Sequence, residues 1–225
     1  MALDFDTWAE SEIRYDGGEA PIPGKEAPLG LVAAGFTPTY QDASGALVLG
    51  DALTAQHFNW LVCDLFRKYR ARRDGTAADT TVTSWAETEK TYAAADGNIP
   101  NRQQPGDEIV ATGFAPTFID LGKQLVIGDA LTAQHINWLF CDLYRLYRGV
   151  TTSGDTLTAF ADIPREYRFY GRVYPSRAKP TQTKITDGFI PTYIGPDGST
   201  VLGDAVEYSD VNSIFYNLYQ AFNSL

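Results

Sequence analysis

The chain holds two histidines, His57 and His135, and two cysteines, Cys63 and Cys141, and each pair falls at matching places in two related segments. Two His and two Cys are the ligand set of a tetrahedral zinc site. On one helix, however, the six residues from His57 to Cys63 turn through about 600°, which leaves the two side chains about 120° apart. One helix cannot chelate with that pair. Two crossing helices could bring Cys63 and Cys141 together, for a metal or a disulfide, but would strand the histidines. The expectation is therefore no metal and no cofactor, with buried thiols and a His near each helix start. Asp51 and Asp129 suggest a carboxylate pair for acid–base work, yet each stands in a GDAL context that returns as GDAV at Asp204. Triplication fits a turn or cap better than catalysis. The run REYRFYGRVYP over 165–175 could stack on sugars, but its alternation reads as a half-buried strand. The chain contains no GxSxG, HExxH, GxxxxGK[ST] or GxGxxG. No enzyme is expected.

These residues belong to a repeat. The segment from Gly35 to Arg70 reads GFTPTYQDASGALVLGDALTAQHFNWLVCDLFRKYR, and that from Gly113 to Arg148 reads GFAPTFIDLGKQLVIGDALTAQHINWLFCDLYRLYR. The offset is 78 without a gap, and about two thirds of the positions agree. A third copy runs from Gly188 to Asn223 and keeps Gly188, Phe189, Pro191, Thr192, Gly203, Asp204, Asn212 and Leu218. It carries Asp210, Ser213 and Tyr216 where the others have His, Trp and Cys.

Each copy predicts a short hairpin followed by a helix. Pro and aromatic residues make GFxPT(Y/F) extended. Asp42 to Gly45 and Pro196 to Gly198 are turn chemistry, and LVLGD or LVIGD reads as a returning strand. Helices should begin near 54, 132 and 207, with Thr54 or Asp51 as cap. The fold class expected is α+β: three pseudosymmetric hairpin-plus-helix repeats at 35–71, 113–149 and 188–225. An extended arm at 1–34 precedes them, and connectors at 72–112 and 150–187 separate them, with strands expected over 81–87 and 166–174. The connectors show no evident kinship and read as insertions.

On the first helix, Phe58, Leu61, Val62, Leu65 and Tyr69 share one stripe, an ordinary core face. Trp60 lies about 200° from Phe58, beside Cys63, with Asn59 on the shoulder. The second repeat offers Asn137, Trp138 and Cys141 there, and the third Asn212 and Tyr216. A helix apolar on both sides is buried on both sides, and a small hairpin covers only one. The second face therefore meets another repeat, a connector or another subunit. Asn59 and Asn137 should bond to the backbone of a neighbouring element, since an unpaired buried amide is costly. Phe5 and Trp8 are sparse anchors in the arm, expected to touch a partner instead of forming a core.

The net charge of −10 argues against nucleic acid or an anionic membrane as partner. No apolar run approaches the ~20 residues of a membrane span. The first residues lack the basic and apolar regions of a signal peptide, so synthesis in the cytoplasm is expected.

QHFNWLVCDLFRKY and QHINWLFCDLYRLY resemble a helix of bacteriophage tail-fibre and related tail proteins. There, Asn followed by an aromatic and Leu-Phe, as in Asn137-Trp138-Leu139-Phe140, opens an amphipathic helix near the virion-attachment region, preceded by a Pro- and Gly-containing segment comparable to GFxPT. The resemblance implies a virion structural protein that contacts other tail or fibre proteins, a homo-oligomer with the trimer a common form. It covers about half the chain. Three tandem copies, with no coiled coil, β-rich shaft or receptor-binding end, favour a compact adaptor, collar or baseplate part. The other function class kept open is a carbohydrate- or host-surface-binding module using Trp60, Trp138 and the Tyr-rich connector.

Overall fold

The computed structural model describes residues 3, 5–17, 19–116, 118–119, 124–149, 157, 159–169, 172–204 and 206–225. Among them the chain is a mixture of five α-helices and six small antiparallel hairpins, an α+β fold. The order is β1 (Arg14–Tyr15), β2 (Ile22–Pro23), a 3-10 turn (Leu29–Leu31), β3 (Tyr40–Gln41), β4 (Leu47–Val48) and α1 (Ala55–Asp74). Next come β5 (Thr91–Ala94), β6 (Gly97–Pro100), α2 (Asp107–Thr112), β7 (Phe118–Ile119), β8 (Leu125–Val126) and α3 (Ala133–Arg148). The chain closes with β9 (Glu166–Phe169), β10 (Arg172–Pro175), α4 (Gln182–Asp187), β11 (Tyr193–Ile194), β12 (Thr200–Val201) and α5 (Tyr208–Asn223). Every strand pairs with its sequence neighbour in a two-stranded sheet, and an isolated bridge joins Asp42 to Ala94 of β5. Isolated hairpins this small are marginal in water, so their order depends on docking to helices.

Two of the three long helices start where a side-chain cap dictates, and the third, α5, begins without one. Thr54 and Thr132 accept the N–H of His57 and His135 at 3.2 Å, and α5 follows Glu207. Gly75 and Gly149 end α1 and α3 in the left-handed conformation, with Arg72, Arg73, Arg145 and Arg148 in the last turns favouring the negative helix ends.

Each long helix touches the other two. Phe58, Phe140 and Phe215 meet between them with ring centroids 5.3 to 6.3 Å apart. Phe58, Leu61, Val62, Leu65 and Tyr69 are all buried, as their common stripe predicted. Each such side chain, fully buried, contributes about 1.5–3 kcal/mol.

Two expectations need correction. Residues 1–34 are not an arm reaching away from the core. Phe5, Trp8 and Ala9 belong to the central cluster, β1 and β2 pair, and Ala9 N–H donates to Ile185 at 2.7 Å. An indole and a phenyl within reach of an apolar core are driven into it, and anchors so spaced cannot also stay free for a partner. Nor are the connectors plain insertions. Residues 81–87 form no strand; the strands lie at β5 and β6, and 166–175 is a hairpin, not one strand. The Asp96-Gly97 step, with Gly97 at φ +118°, turns the first of these hairpins.

Candidate functional site

The sequence singled out Asn59, Asn137 and Asn212, one per long helix, and the structure buries all three completely. Asn137 Oδ1 accepts the N–H of Phe36 at 2.8 Å, and its Nδ2 donates to the carbonyl of the same residue at 2.7 Å. Asn212 makes both bonds to Phe114, at 2.8 and 2.9 Å. Asn59 makes both to Phe189, at 2.8 and 2.7 Å. The second amide hydrogen of each donates to a further carbonyl: Gly24 for Asn59, Asn101 for Asn137 and Ser176 for Asn212. Each amide thus finds the neighbouring backbone that its burial demands.

The partners follow a definite order. The Gly-Phe of the first hairpin segment binds α3, that of the second binds α5, and that of the third returns to α1. Gly35, Gly113 and Gly188, at φ +71°, +80° and +81°, make the approach possible. A Cβ on any of them would lie 2.2 to 2.4 Å from the clasping Asn.

The second helix face is closed by the segments that precede the hairpins. Trp8 and Trp85 donate their indole N–H to Oδ1 of Asn59 and Asn137, at 3.1 and 3.2 Å. Their rings lie 5.2 Å from Phe189 and Phe36. Phe160 takes that place beside Phe114, without a donor. The residue after each ring, Ala9, Ala86 or Ala161, has positive φ of 47°, 50° or 52°. Its carbonyl receives a cation 16 residues on: Lys25, Arg102 or Arg177. These cations stand over the Cys/Tyr positions. Arg102 also reaches Cys141 Sγ at 3.7 Å, and Arg177 lies 3.7 Å above the Tyr216 ring.

Among the sequence-chosen residues, Asn59, Cys63, Asn137, Cys141, Asn212, Phe5 and Trp8 are buried within the chain. Trp60, Trp138 and Tyr216 are half-buried at the edge of the same cluster. Trp85, Phe160, Lys25, Arg102 and Arg177 were missed. Their signal is a pattern shared by 8–25, 85–102 and 160–177: an aromatic-Ala-acid step, a tyrosine seven residues after the aromatic (Tyr15, Tyr92, Tyr167), a proline fifteen after it (Pro23, Pro100, Pro175) and the cation seventeen after it.

The reactive groups are muted by burial. Desolvation pushes the Cys63 thiol up to about 11 and raises Cys141 despite Arg102 beside it. Both cysteines are free. Desolvation also lowers the His135 pKa. Asp51, Asp129 and Asp204 serve as turn locks, accepting the N–H of Thr37, Ala115 and Ile190 at 2.8, 2.8 and 2.9 Å. Among the described residues no three His, Cys, Asp or Glu side chains gather as metal ligands, and no helix is long and apolar enough to cross a membrane.

Charge is buried between the helices. Lys68 donates to Asp64 at 2.7 Å, and Tyr144 donates to the other Asp64 oxygen at 2.6 Å. Burial raises the Asp64 pKa against these two bonds. Tyr219 donates likewise to Asp142 at 2.7 Å. At the third such position Asn217 replaces the carboxylate, and Phe66 occupies the place of the tyrosines. An acid stands where a tyrosine hydroxyl reaches it, and an amide where the matching residue is Phe66.

An open cleft of about 540 Å³ lies between Phe114, Pro116, Tyr167, Tyr174 and Tyr208, with Asp129 and Glu207 on its wall. Comparison with protein-family models, with curated proteins and with solved structures finds no match for this chain.

Proposed function

We propose that the chain is a non-enzymatic structural part of a phage virion: a tail adaptor, collar or baseplate component built as three pseudosymmetric units closed into a ring. The observation that carries this is the order of the Asn clasps, in which every long helix holds the Gly-Phe of a different segment and α1 holds the last. In this reading the unit is longer than a hairpin and helix. It begins at the buried aromatic (Trp8, Trp85 or Phe160), runs through the cation and the GFxPT hairpin, and ends with the long helix. The N-terminal segment is then the opening of the first unit. A closed set of interlocked units gives a stiff body with little freedom to lose on association, which suits a scaffold. The virion setting comes from the Asn-Trp-Leu-Phe resemblance.

Mass spectrometry of purified particles is the test. Support requires peptides of this chain at a fixed copy number per particle, together with failed tail assembly when its gene is interrupted. Complete particles lacking the chain would refute the reading. The second reading, carbohydrate binding, draws on the three tyrosines and two carboxylates of the open cleft, since rings stack on sugar faces and carboxylates accept from hydroxyls. Retention on a glycan array, abolished by Tyr174→Ala, would favour it.

A further inference from the structure

We infer that the ends of the returning strands of the three GFxPT hairpins, at Leu49, Ile127 and Leu202, form one docking surface for a homotrimeric protein, each of whose subunits offers an apolar socket with a basic rim. The inference rests on the ring of units proposed above and names its partner.

The strongest observation is a large aliphatic side chain exposed at one matching position in every hairpin. Leu49 is 76 % exposed, Ile127 71 % and Leu202 80 %. Each lies 14 residues after its Gly-Phe glycine, at Gly35, Gly113 and Gly188. Scattered exposed leucines are ordinary and need no explanation. Three at one register are different, because the third copy has changed its helix, with Asp210 for His, Ser213 for Trp and Tyr216 for Cys, yet keeps this residue aliphatic. Folding does not require it, since the side chain meets solvent.

The backbone just beyond these residues, at the open end of each hairpin, is held rigid in a way that presents them. The next residue is Gly50, Gly128 or Gly203, and a Cβ there would fall 2.1 to 2.3 Å from the backbone carbonyl of Thr37, Ala115 or Ile190. Gly50 and Gly203 N–H donate to Thr39 and Thr192 hydroxyls at 3.0 Å. The following Asp locks the opposite strand, as described for Asp51, Asp129 and Asp204. A ledge fixed from three sides has little entropy left to lose on binding.

The count and the charge select the occupant. Three equal ledges around a ring are met alike only by a body with three equal faces around the same axis, and closed cyclic homo-oligomers supply that. Asp51, Asp129 and Asp204 follow two residues after these side chains, and the three hairpin segments contain one basic residue, Lys123. Complementarity therefore calls for Lys or Arg around each socket. Three weak contacts on one rigid frame then act together, with the second and third contacts intramolecular.

The test places the photo-crosslinking residue p-benzoyl-phenylalanine at position 49, 127 or 202 of the full chain, singly and at all three, and irradiates producing cells during assembly. Each single variant should give one adduct to the same polypeptide, and the triple variant a ladder ending at three copies. Adducts to different polypeptides, a ladder ending at one, adducts of the chain with itself, or no adduct would each overturn the inference. The variant Leu49→Asp/Ile127→Asp/Leu202→Asp should keep its circular dichroism spectrum and melting temperature while the wild-type partner no longer co-purifies. If it unfolds, the side chains serve the fold and the inference fails. A ladder of one inside intact particles rejects the trimer and leaves the virion reading standing, whereas a ladder of three to a host protein does the reverse.

Discussion

The carboxamide of Asn59 holds both backbone groups of Phe189, 130 residues away, accepting the N–H at 2.8 Å and donating to the carbonyl at 2.7 Å. Because α1 lies early in the chain and Phe189 late, this pair joins its two ends as firmly as Asn137 and Phe36 join neighbouring segments.

Replacing these amides should be costly and unequal. Asn59→Ala orphans a buried N–H and two buried carbonyls, plus the Trp8 indole N–H. At 1–3 kcal/mol per orphaned group, and with partial relaxation, a loss of about 3–4 kcal/mol is expected. Asn137→Ala should match it through Trp85. Asn212→Ala should cost roughly 1 kcal/mol less, because Phe160 has no donor to strand. Chemical denaturation of the three variants checks the order, and equal losses would show that the indole bonds contribute nothing.

Two glycines with nearly the same φ separate conformational strain from close approach. Gly45 sits at φ +81° with open space around its Cβ direction, and Gly113 at +80° with Asn212 Cγ 2.4 Å away. Gly45→Ala should cost about 1 kcal/mol, the left-handed penalty alone. Gly113→Ala adds displacement of the clasp and should cost about 3 kcal/mol or more. Similar melting temperatures for the two variants would contradict the tight contact.

The buried ion pair should fail when halved and recover when removed. Asp64→Asn leaves the Lys68 ammonium without its counter-charge in a site where its side chain is wholly inaccessible, for a loss of about 3–5 kcal/mol. Asp64→Asn with Lys68→Leu should regain most of this. The third helix already carries Asn217 at the matching position, and α3 has Leu146 where α1 has Lys68. A double variant no more stable than the single one would show that the pair itself is required.

His135 should titrate below its ordinary value of 6.5, because burial disfavours the imidazolium. The folded pKa is depressed, so the unfolded chain binds the proton more readily in that window. Stability is therefore full above about 6.5 and declines as the pH falls through that value toward the folded pKa. An NMR titration of the ring protons reads the shift directly, and His135→Gln should flatten this part of the stability curve. A midpoint at or above 6.5 would be the contrary result.

Much of the local structure was legible because its causes act within a turn or two. Thr54 and Thr132 announce helix starts through their own hydroxyls, Asp42 and Asp197 bond the residues two positions on, and Phe58 to Tyr69 form their stripe by helical period alone. The repeat is a plain identity of letters. What the amino-acid order also determined was that Asn59 and Asn137, on helices apolar on two sides, must find backbone partners, and Asn212 follows suit. Which backbone was decided only by the tertiary structure, since partners 98 to 130 residues away leave no periodic trace. The same holds for the first 34 residues and the connectors: they share an aromatic-Ala-acid step at Trp8, Trp85 and Phe160, a tyrosine seven residues on, a proline fifteen on and a distant cation, but the contacts these make were decided only by the tertiary structure. The aromatic, the Ala and the cation are held by packing and hydrogen bonds to elements far away in sequence, contacts that exist only once the chain has closed.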